Sequence, residues 1–368
     1  MSSKQKKQSA LNVMAGINQP SSINPRFSRG VLRNQVLQNP EWYFEGIQKG
    51  DRSVLSRAIT LIESNLPAHR KLAQDIIELC LSSSGNSLRI GITGVPGVGK
   101  STFIEAFGIH ITQELHKKLA VLAIDPSSQR TKGSILGDKT RMETLTNDEM
   151  AFIRPSPSAG SLGGVAQKTR ESIILCEAAG YEVILVETVG VGQSETAVHG
   201  MVDFFLLLML AGAGDELQGI KRGIMEMADA IIINKADGDN KEKAELARRE
   251  YANALHLFPP TESGWIPNTQ TCSSITKSGV PEVWSTLQDY LELTKRNGYF
   301  DQKRKKQNQL ILQATIEQNL KQNFAQNEQV KELIEAIESK IQSDEISAYK
   351  GAELLLETYF KNISFGKE

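Results

Sequence analysis

The octapeptide Gly94-Val-Pro-Gly-Val-Gly-Lys-Ser101 constrains this 368-residue chain more than any other segment. It matches G-x-x-x-x-G-K-[ST] at every fixed position. The apolar run Leu88–Thr93 precedes it and the helix-period stretch Ser101–Lys117 follows. Both flanks are what the motif requires. Glycines let successive backbone N–H groups turn inward around phosphate oxygens, and the helix brings the positive end of its dipole to the same place. Gly94, Val95, Pro96, Gly97, Val98, Gly99 and Thr102 are the expected cradle. Lys100 is expected to reach the β- and γ-phosphates as the catalytic cation, and the Ser101 hydroxyl to ligate Mg²⁺. The competing reading is a glycine-rich turn with no ligand.

Short apolar runs alternate with amphipathic stretches around this loop. Strands are expected at Leu88–Thr93, Ala120–Asp125, Ala151–Arg154, Glu182–Thr188, Asp203–Leu210, Asp229–Asn234 and Asn268–Cys272. Helix-period segments such as Val165–Ala179 separate most of them. That is the pattern of βαβ units, so the fold class is α/β: a P-loop NTPase with a mainly parallel, doubly wound sheet. Val54, Leu55, Ala58, Ile59 and Ile62, then Leu72, Ile76, Ile77 and Leu79, recur at helix spacing before it. After about Pro281 strand signals stop. Leu287–Thr294, Lys303–Asn323 and Val330–Lys340 read as helices, and Leu354, Leu355, Tyr359 and Phe360 form a last apolar cluster. The organisation read from this is a flexible basic tail (1–38), an N-terminal helical segment (39–84), a nucleotide domain (85–290) and a C-terminal helical segment (291–368).

Bulk composition excludes several classes. A net charge of −1 and a pI of 6.6 give no global field toward nucleic acid or membrane. The longest apolar run, Phe204–Ala211, is far too short to span a bilayer and reads as a strand buried on both faces. Cys80, Cys176 and Cys272 are odd in number and far apart, which points to a reduced compartment. The five histidines form no ligand-spaced group with them, against a zinc or nickel site. Residues 1–40 hold Lys4, Lys6, Lys7, Arg26, Arg29 and Arg33 and no acid. This is read as a solvated tail of a cytoplasmic protein rather than a transit peptide, the mitochondrial matrix being the alternative in a eukaryote. No tightly bound organic cofactor is expected.

Three acids are candidates to complete a Mg²⁺ shell with Ser101. Asp125 and Glu187 end apolar strands at the edge where ligands bind in such sheets, and are also the catalytic candidates; Asp138 lies in the loop after Asp125. The base site is read from Asn234-Lys-Ala-Asp237, again at a strand end. A carboxylate at Asp237 accepts from both N1–H and the exocyclic amine of guanine. Adenine lacks that donor pair and would leave a buried charge unpaired, a discrimination worth about 10⁴-fold or more. Asn234 is expected to orient the loop, Lys235 to pack its stem over the base, and Ser273-Ser274 to bring a backbone contact to guanine O6. GTP is therefore favoured over ATP.

Asp125-Pro-Ser-Ser128, Gly133-Ser-Ile-Leu-Gly-Asp-Lys-Thr-Arg-Met142, Arg154-Pro-Ser-Pro157, Val186-Glu-Thr-Val-Gly-Val-Gly-Gln-Ser-Glu195 and Gly212-Ala-Gly-Asp-Glu-Leu-Gln-Gly-Ile-Lys221 resemble the MeaB/ArgK GTPases. These G proteins accompany adenosylcobalamin-dependent methylmalonyl-CoA mutase, and their human counterpart is the methylmalonic aciduria type A protein. The resemblance runs from about Gly50 to Val283. It implies a homodimer through the C-terminal helices, and Ser101, Asp125, Asp138 and Glu187 as the Mg²⁺ and water network. It also implies that Asp215–Lys221 relays nucleotide state to the mutase, with Gln218 and Lys221 as working residues. Lys132 stands where the family usually has Gly, Ala211 where Pro is common, and Ser274 where Ala is usual. Two alternatives stay open: a P-loop small-molecule kinase, and a GTPase assembly factor for another metalloenzyme. The second usually carries a His- or Cys-rich tract, which this sequence lacks.

Overall fold

Seven strands build one sheet: β1 (Leu88–Gly94), β2 (Leu119–Asp125), β3 (Ala151–Pro157), β4 (Val183–Glu187), β5 (Phe204–Leu210), β6 (Ala230–Asn234) and β7 (Asn268–Thr271). Their spatial order is β3-β2-β4-β1-β5-β6-β7, and every pairing is parallel. The computed structural model describes residues 37–125, 142–157, 162–188, 194–212 and 222–362. All seven expected strands are present. β3 runs on to Pro157 instead of stopping at Arg154, because neighbouring β2 continues to Asp125 and pairs with it to the end.

The helices are α1 (Pro40–Gln48), α2 (Arg52–Glu63), α3 (Pro67–Cys80), α4 (Lys100–Ile109), α5 (Glu143–Thr146), α6 (Leu162–Ala178), α7 (Ser194–His199), α8 (Arg222–Met227), α9 (Lys241–Leu255), α10 (Val280–Arg296), α11 (Tyr299–Gln326), α12 (Glu328–Gln342) and α13 (Ala348–Asn362). A parallel sheet is covered on both faces, so strands such as β2 and β4 alternate between two cores rather than between core and water. Leu119, Val121, Val183, Leu185, Phe204 and Leu206 enter the core shared with Phe103 and Phe107 of α4 and Leu287 of α10. Ala120, Leu122, Ile184, Val186 and Phe205 enter the other, with Ile173 and Leu175 of α6. The N-terminal helices belong to this second core through Ile47, Leu55, Ile59 and Ile76. Their starts are fixed locally. Asn39 Oδ1 accepts from Trp42 N at 3.0 Å with Pro40 opening α1, and Asp51 Oδ1 accepts from Ser53 N and Val54 N at 2.8 and 3.1 Å.

α10 runs across residue 290 without interruption, and the turn into α11 falls at Asn297-Gly298, where Gly298 is left-handed (φ 77°). One turn into α11, Arg304 reaches the base of the sheet. Its Nη2 and Nε donate to Asp203 Oδ2 and Oδ1 at 2.7 and 2.8 Å, and Nη2 also donates to Ser87 O at 2.6 Å. A further bond joins its Nη1 to Gly85 O. The Asp203 side chain is 1% exposed and also accepts from Arg89 N at 2.9 Å. Lys303 Nζ donates to Asp203 O at 2.7 Å. Beyond this anchor, α12 and α13 pack on each other, with Gly351 seated against Ile337 and Ile341.

Removing one member of a buried ion pair costs about 3–5 kcal/mol, since the other charge stays behind without compensation. Arg304→Ala is expected to lower unfolding free energy by about that amount, read as a fall in the guanidinium midpoint at unchanged slope. An unchanged midpoint would show that α11 is not anchored through this pair.

Candidate functional site

The phosphate-loop motif and the Asn234–Asp237 motif converge on the edge where the strands end. β1 delivers Gly94 there, flush against β5. A Cβ on Gly94 would lie 2.4 Å from the Leu208 carbonyl oxygen, so only glycine permits the strand to turn off at that point. Val95 and Val98 are buried and pin the loop from below, while Pro96 and Gly97 are exposed at its lip. Gly97 (φ 76°) and Gly99 (φ 90°) take the left-handed conformation that points consecutive N–H groups inward. Gly99 is the N-cap of α4, so Lys100, Ser101 and Thr102 form the helix's first turn.

Lys100 Nζ donates to Gly94 O at 3.0 Å. Burial lowers the pKa of Lys100, and the carboxylates of Glu187 and Glu195 oppose that shift. Ser101 Oγ donates to Glu187 Oε1 at 3.5 Å. Glu187 ends β4 in register with Ile92 of β1, which is what brings the hydroxyl and the carboxylate together. Hard oxygens of these two kinds suit Mg²⁺, which keeps several waters and takes few protein ligands. Among the described residues no group of three His, Cys, Asp or Glu side chains is placed to hold a metal. Asp125 ends β2 at the same edge, but its side chain lies outside the described residues, as do Asp138, Gln218 and Lys221 entirely.

The guanine motif is joined to the phosphate loop by two side chains, the buried one of Asn234 and the exposed one of Lys235. Asn234, 1% exposed, donates from Nδ2 to Val98 O at 2.9 Å. Its Oδ1 accepts from Ser274 Oγ at 2.8 Å and Ser274 N at 3.3 Å. Lys235 lies in the left-handed region (φ 60°), unusual for a residue with a side chain. Two bonds hold it there: Asn240 Nδ2 donates to Lys235 O at 2.8 Å, and Lys235 Nζ donates to Gly97 O at 2.8 Å. The lysine thus lies across the phosphate loop. The Ser273 hydroxyl donates to Asp237 Oδ2 and is itself fixed by Thr276 N at 3.1 Å. It therefore aims the carboxylate through its side chain.

Two features had no signature in the sequence reading. Thr188 Oγ1 donates to Thr93 Oγ1 at 2.8 Å, tying the ends of β4 and β1 beneath the site; both residues are buried. The only signal for it is a threonine at the end of each of two neighbouring strands. Glu195, fully buried at the start of α7, adds negative potential at Lys100. The three cysteines are free and buried. Burial pushes the thiols up, to about 11 for Cys80 and about 12 for Cys272, so they are poor nucleophiles at neutral pH. Among the described residues no helix is long and apolar enough to cross a membrane.

The family described as methylmalonyl Co-A mutase-associated GTPase MeaB matches residues 55–329. The GTPase ArgK of Escherichia coli is 50% identical over 262 residues, covering 71% of this chain and 79% of that protein. The mitochondrial methylmalonic aciduria type A homolog of Mus musculus is 43% identical over 326 residues, 86% of this chain and 78% of the other. The crystal structure of an LAO/AO transport system kinase matches with a TM-score of 0.69 at 38% identity, covering 88% of this chain and 99% of that one.

Asn234→Ala removes the buried tie between the two loops and leaves Val98 O without its donor. A buried bond of this kind is worth about 1–3 kcal/mol, so GDP affinity by calorimetry is expected to fall by roughly ten- to a hundredfold. A loss below about twofold would mean that the loops hold their positions independently of it.

Proposed function

We propose, on the premise that this chain belongs to the MeaB family of GTPases, that it hydrolyses GTP to gate adenosylcobalamin delivery to methylmalonyl-CoA mutase or a related acyl-CoA mutase, and to protect that enzyme. The observation that carries the nucleotide part is the Asn234 carboxamide, which locks the phosphate loop and the guanine motif into one site. The family description, which names the mutase, supports the partner.

The residues divide the work. Backbone N–H groups of Gly94–Ser101 cradle the phosphates at the N-terminus of α4. Lys100 counters charge that builds up on the β–γ bridge during transfer to water. Ser101 and Glu187 would hold Mg²⁺, with Asp125 and Asp138 as the further candidates for its water network; bound there, the ion would supply charge neutralisation of the phosphates. Asp237, aimed by Ser273, accepts from N1–H and the exocyclic amine of guanine. Glu187 also orders the attacking water. Gln218 and Lys221 report nucleotide state to the mutase. The three free cysteines suit the cytoplasm, or the mitochondrial matrix in a eukaryotic cell, as the mouse relative's name indicates for that protein.

Leu312, Ile316 and Leu320 recur at helical spacing on α11 and are 63%, 50% and 56% exposed. Tyr349 and Phe360 of α13 are exposed as well. Such a stripe supports a homodimer through the C-terminal helices.

Nucleotide choice follows from Asp237. Calorimetry is expected to show ATP binding at least about 10³-fold weaker than GTP, and Asp237→Asn to narrow the gap, because an amide turns a donor toward one guanine donor. Equal wild-type affinities would overturn the guanine site. Formation of a phosphorylated small-molecule acceptor in place of free phosphate would instead establish a kinase.

Partner coupling is read from turnover. Intrinsic hydrolysis is expected to be slow, and the cognate mutase to raise it at least about tenfold, well within the 10⁵-fold that activating partners reach elsewhere. Gln218→Ala combined with Lys221→Ala is expected to abolish the stimulation and leave basal turnover intact. Undiminished stimulation of the double variant would remove those residues from the relay.

A further inference from the structure

A pocket of about 510 Å³ opens beside β3, the edge strand of the sheet, between it, α2 and the end of α5. Small-molecule sites run from about 300 to 1,000 Å³. α2 builds the polar wall by its period. Val54, Leu55, Ala58, Ile59 and Ile62 turn into the core. Ser53, Ser56, Arg57 and Thr60, spaced i, i+3, i+4 and i+7, share the face that remains. Arg52 adds a second guanidinium, and Phe152 and Ile153 of β3 supply the apolar part. None of the described residues that line the pocket is acidic.

Both guanidinium groups keep donors open. Arg57 stacks on Trp42, 5.1 Å from the ring centroid, which holds its plane without using an N–H. It makes no hydrogen bond or ion pair among the described residues. Arg52 gives one N–H to Asp148 O at 3.4 Å. The neighbouring carboxylates are engaged elsewhere. Asp51 caps α2, Asp148 accepts from Thr112 Oγ1 at 2.7 Å and Met150 N at 2.8 Å, and Glu63 pairs with Arg154. Ser56 Oγ accepts from Arg154 Nη1 at 3.3 Å, which leaves its own proton to give. The Ser53 hydroxyl has no partner among the described residues.

The strand adds a backbone donor. Leu119 N donates to Met150 O, so residues 150, 152 and 154 turn their backbone groups to β2. Ala151, Ile153, Pro155 and Pro157 turn theirs off the edge. The prolines have no N–H, and Ala151 N donates to Asp148 O at 3.2 Å. Among these residues only Ile153, in the pocket wall, keeps a free N–H on the open side.

Two guanidinium groups without a carboxylate, two hydroxyl protons and a backbone N–H call for an anion with several acceptor oxygens. A bare ion would leave most of the volume empty. Thr146 Oγ1 already donates to Met142 O at 2.6 Å, so it meets an incoming hydroxyl as an acceptor. We propose that this pocket binds a small phosphomonoester with a hydroxylated body, its phosphate on Arg52 and Arg57. Arg52 meets the turn before β3, where the strands begin, so the pocket is separate from the nucleotide site at the ends of the strands.

The test is calorimetry on full-length protein saturated with Mg²⁺–GDP, which fills the phosphate loop. Ribose 5-phosphate is expected to bind at one site, inorganic phosphate roughly five- to tenfold more weakly, and ribose not measurably. Arg52→Gln and Arg57→Gln are each expected to weaken ribose 5-phosphate roughly tenfold. No binding of either phosphate, or undiminished binding in both variants, overturns the site. Ribose binding as tightly as its phosphate overturns the role of the arginines in the wild type, independently of how the variants fold. Inorganic phosphate binding as tightly as ribose 5-phosphate overturns the hydroxylated body. A phosphoserine peptide that binds more tightly than ribose 5-phosphate overturns the small-molecule ligand in favour of a phosphorylated protein segment. The readout is binding at a second site, so it stands apart from the GTPase and mutase readings.

Discussion

The Asn234 carboxamide sits where three loops meet, and its burial forces the arrangement around it. An amide that cannot reach water must find a partner at both ends. The phosphate loop supplies the acceptor, Val98 O, and the loop after β7 supplies the donors of Ser274. Neither partner is near in sequence, so the bonds form only when β1, β6 and β7 stand in register. The site's geometry is thus a property of the sheet more than of any one loop. Lys235, held in a left-handed conformation across Gly97, repeats the logic on the exposed side.

The opposite edge of the sheet solves a different problem. Parallel strands begin with N–H groups that the ladder does not always satisfy, and here carboxylates supply the missing acceptors. Asp203, just before β5, accepts from Arg89 N of neighbouring β1. Asp229, just before β6, accepts from Phe205 N of neighbouring β5. The same device serves two adjacent strand pairs. Each carboxylate then faces a cation from α11, Arg304 or Lys303. Burial raises the pKa of Asp229, with the Lys303 charge opposing it. α11 is therefore tied to the sheet at the edge opposite the phosphate loop.

Much of this was legible in the sequence because the sheet is parallel and buried on both faces. β5 (FFLLLML) and β6 (AIIIN) read as continuous apolar runs, and the phosphate loop is specified by backbone conformations that only certain residues adopt. β3 beyond Arg154 was not legible, since Pro155-Ser-Pro157 carries no apolar signal and owes its strand state to β2. The six-residue helices α7 and α8 are too short to display a period. Ser273 was read for a backbone contact, and its hydroxyl bond to Asp237 depends on a neighbour 36 positions away. Pairings over such separations, Asn234 with Val98 above all, leave no mark in a local pattern.

The reach of Arg304 has a consequence for the order in which the chain is made. Domains tend to fold as they emerge during synthesis, N-terminal parts first. All seven strands are in hand once Thr271 has left the ribosome, yet Asp203 still lacks its guanidinium, which arrives 101 residues after it. Until then the Asp203 carboxylate has Arg89 N as its partner and water in place of the guanidinium. Nascent chains stalled before and after Arg304 therefore differ in more than length: only the longer ones can bring the guanidinium to this buried carboxylate.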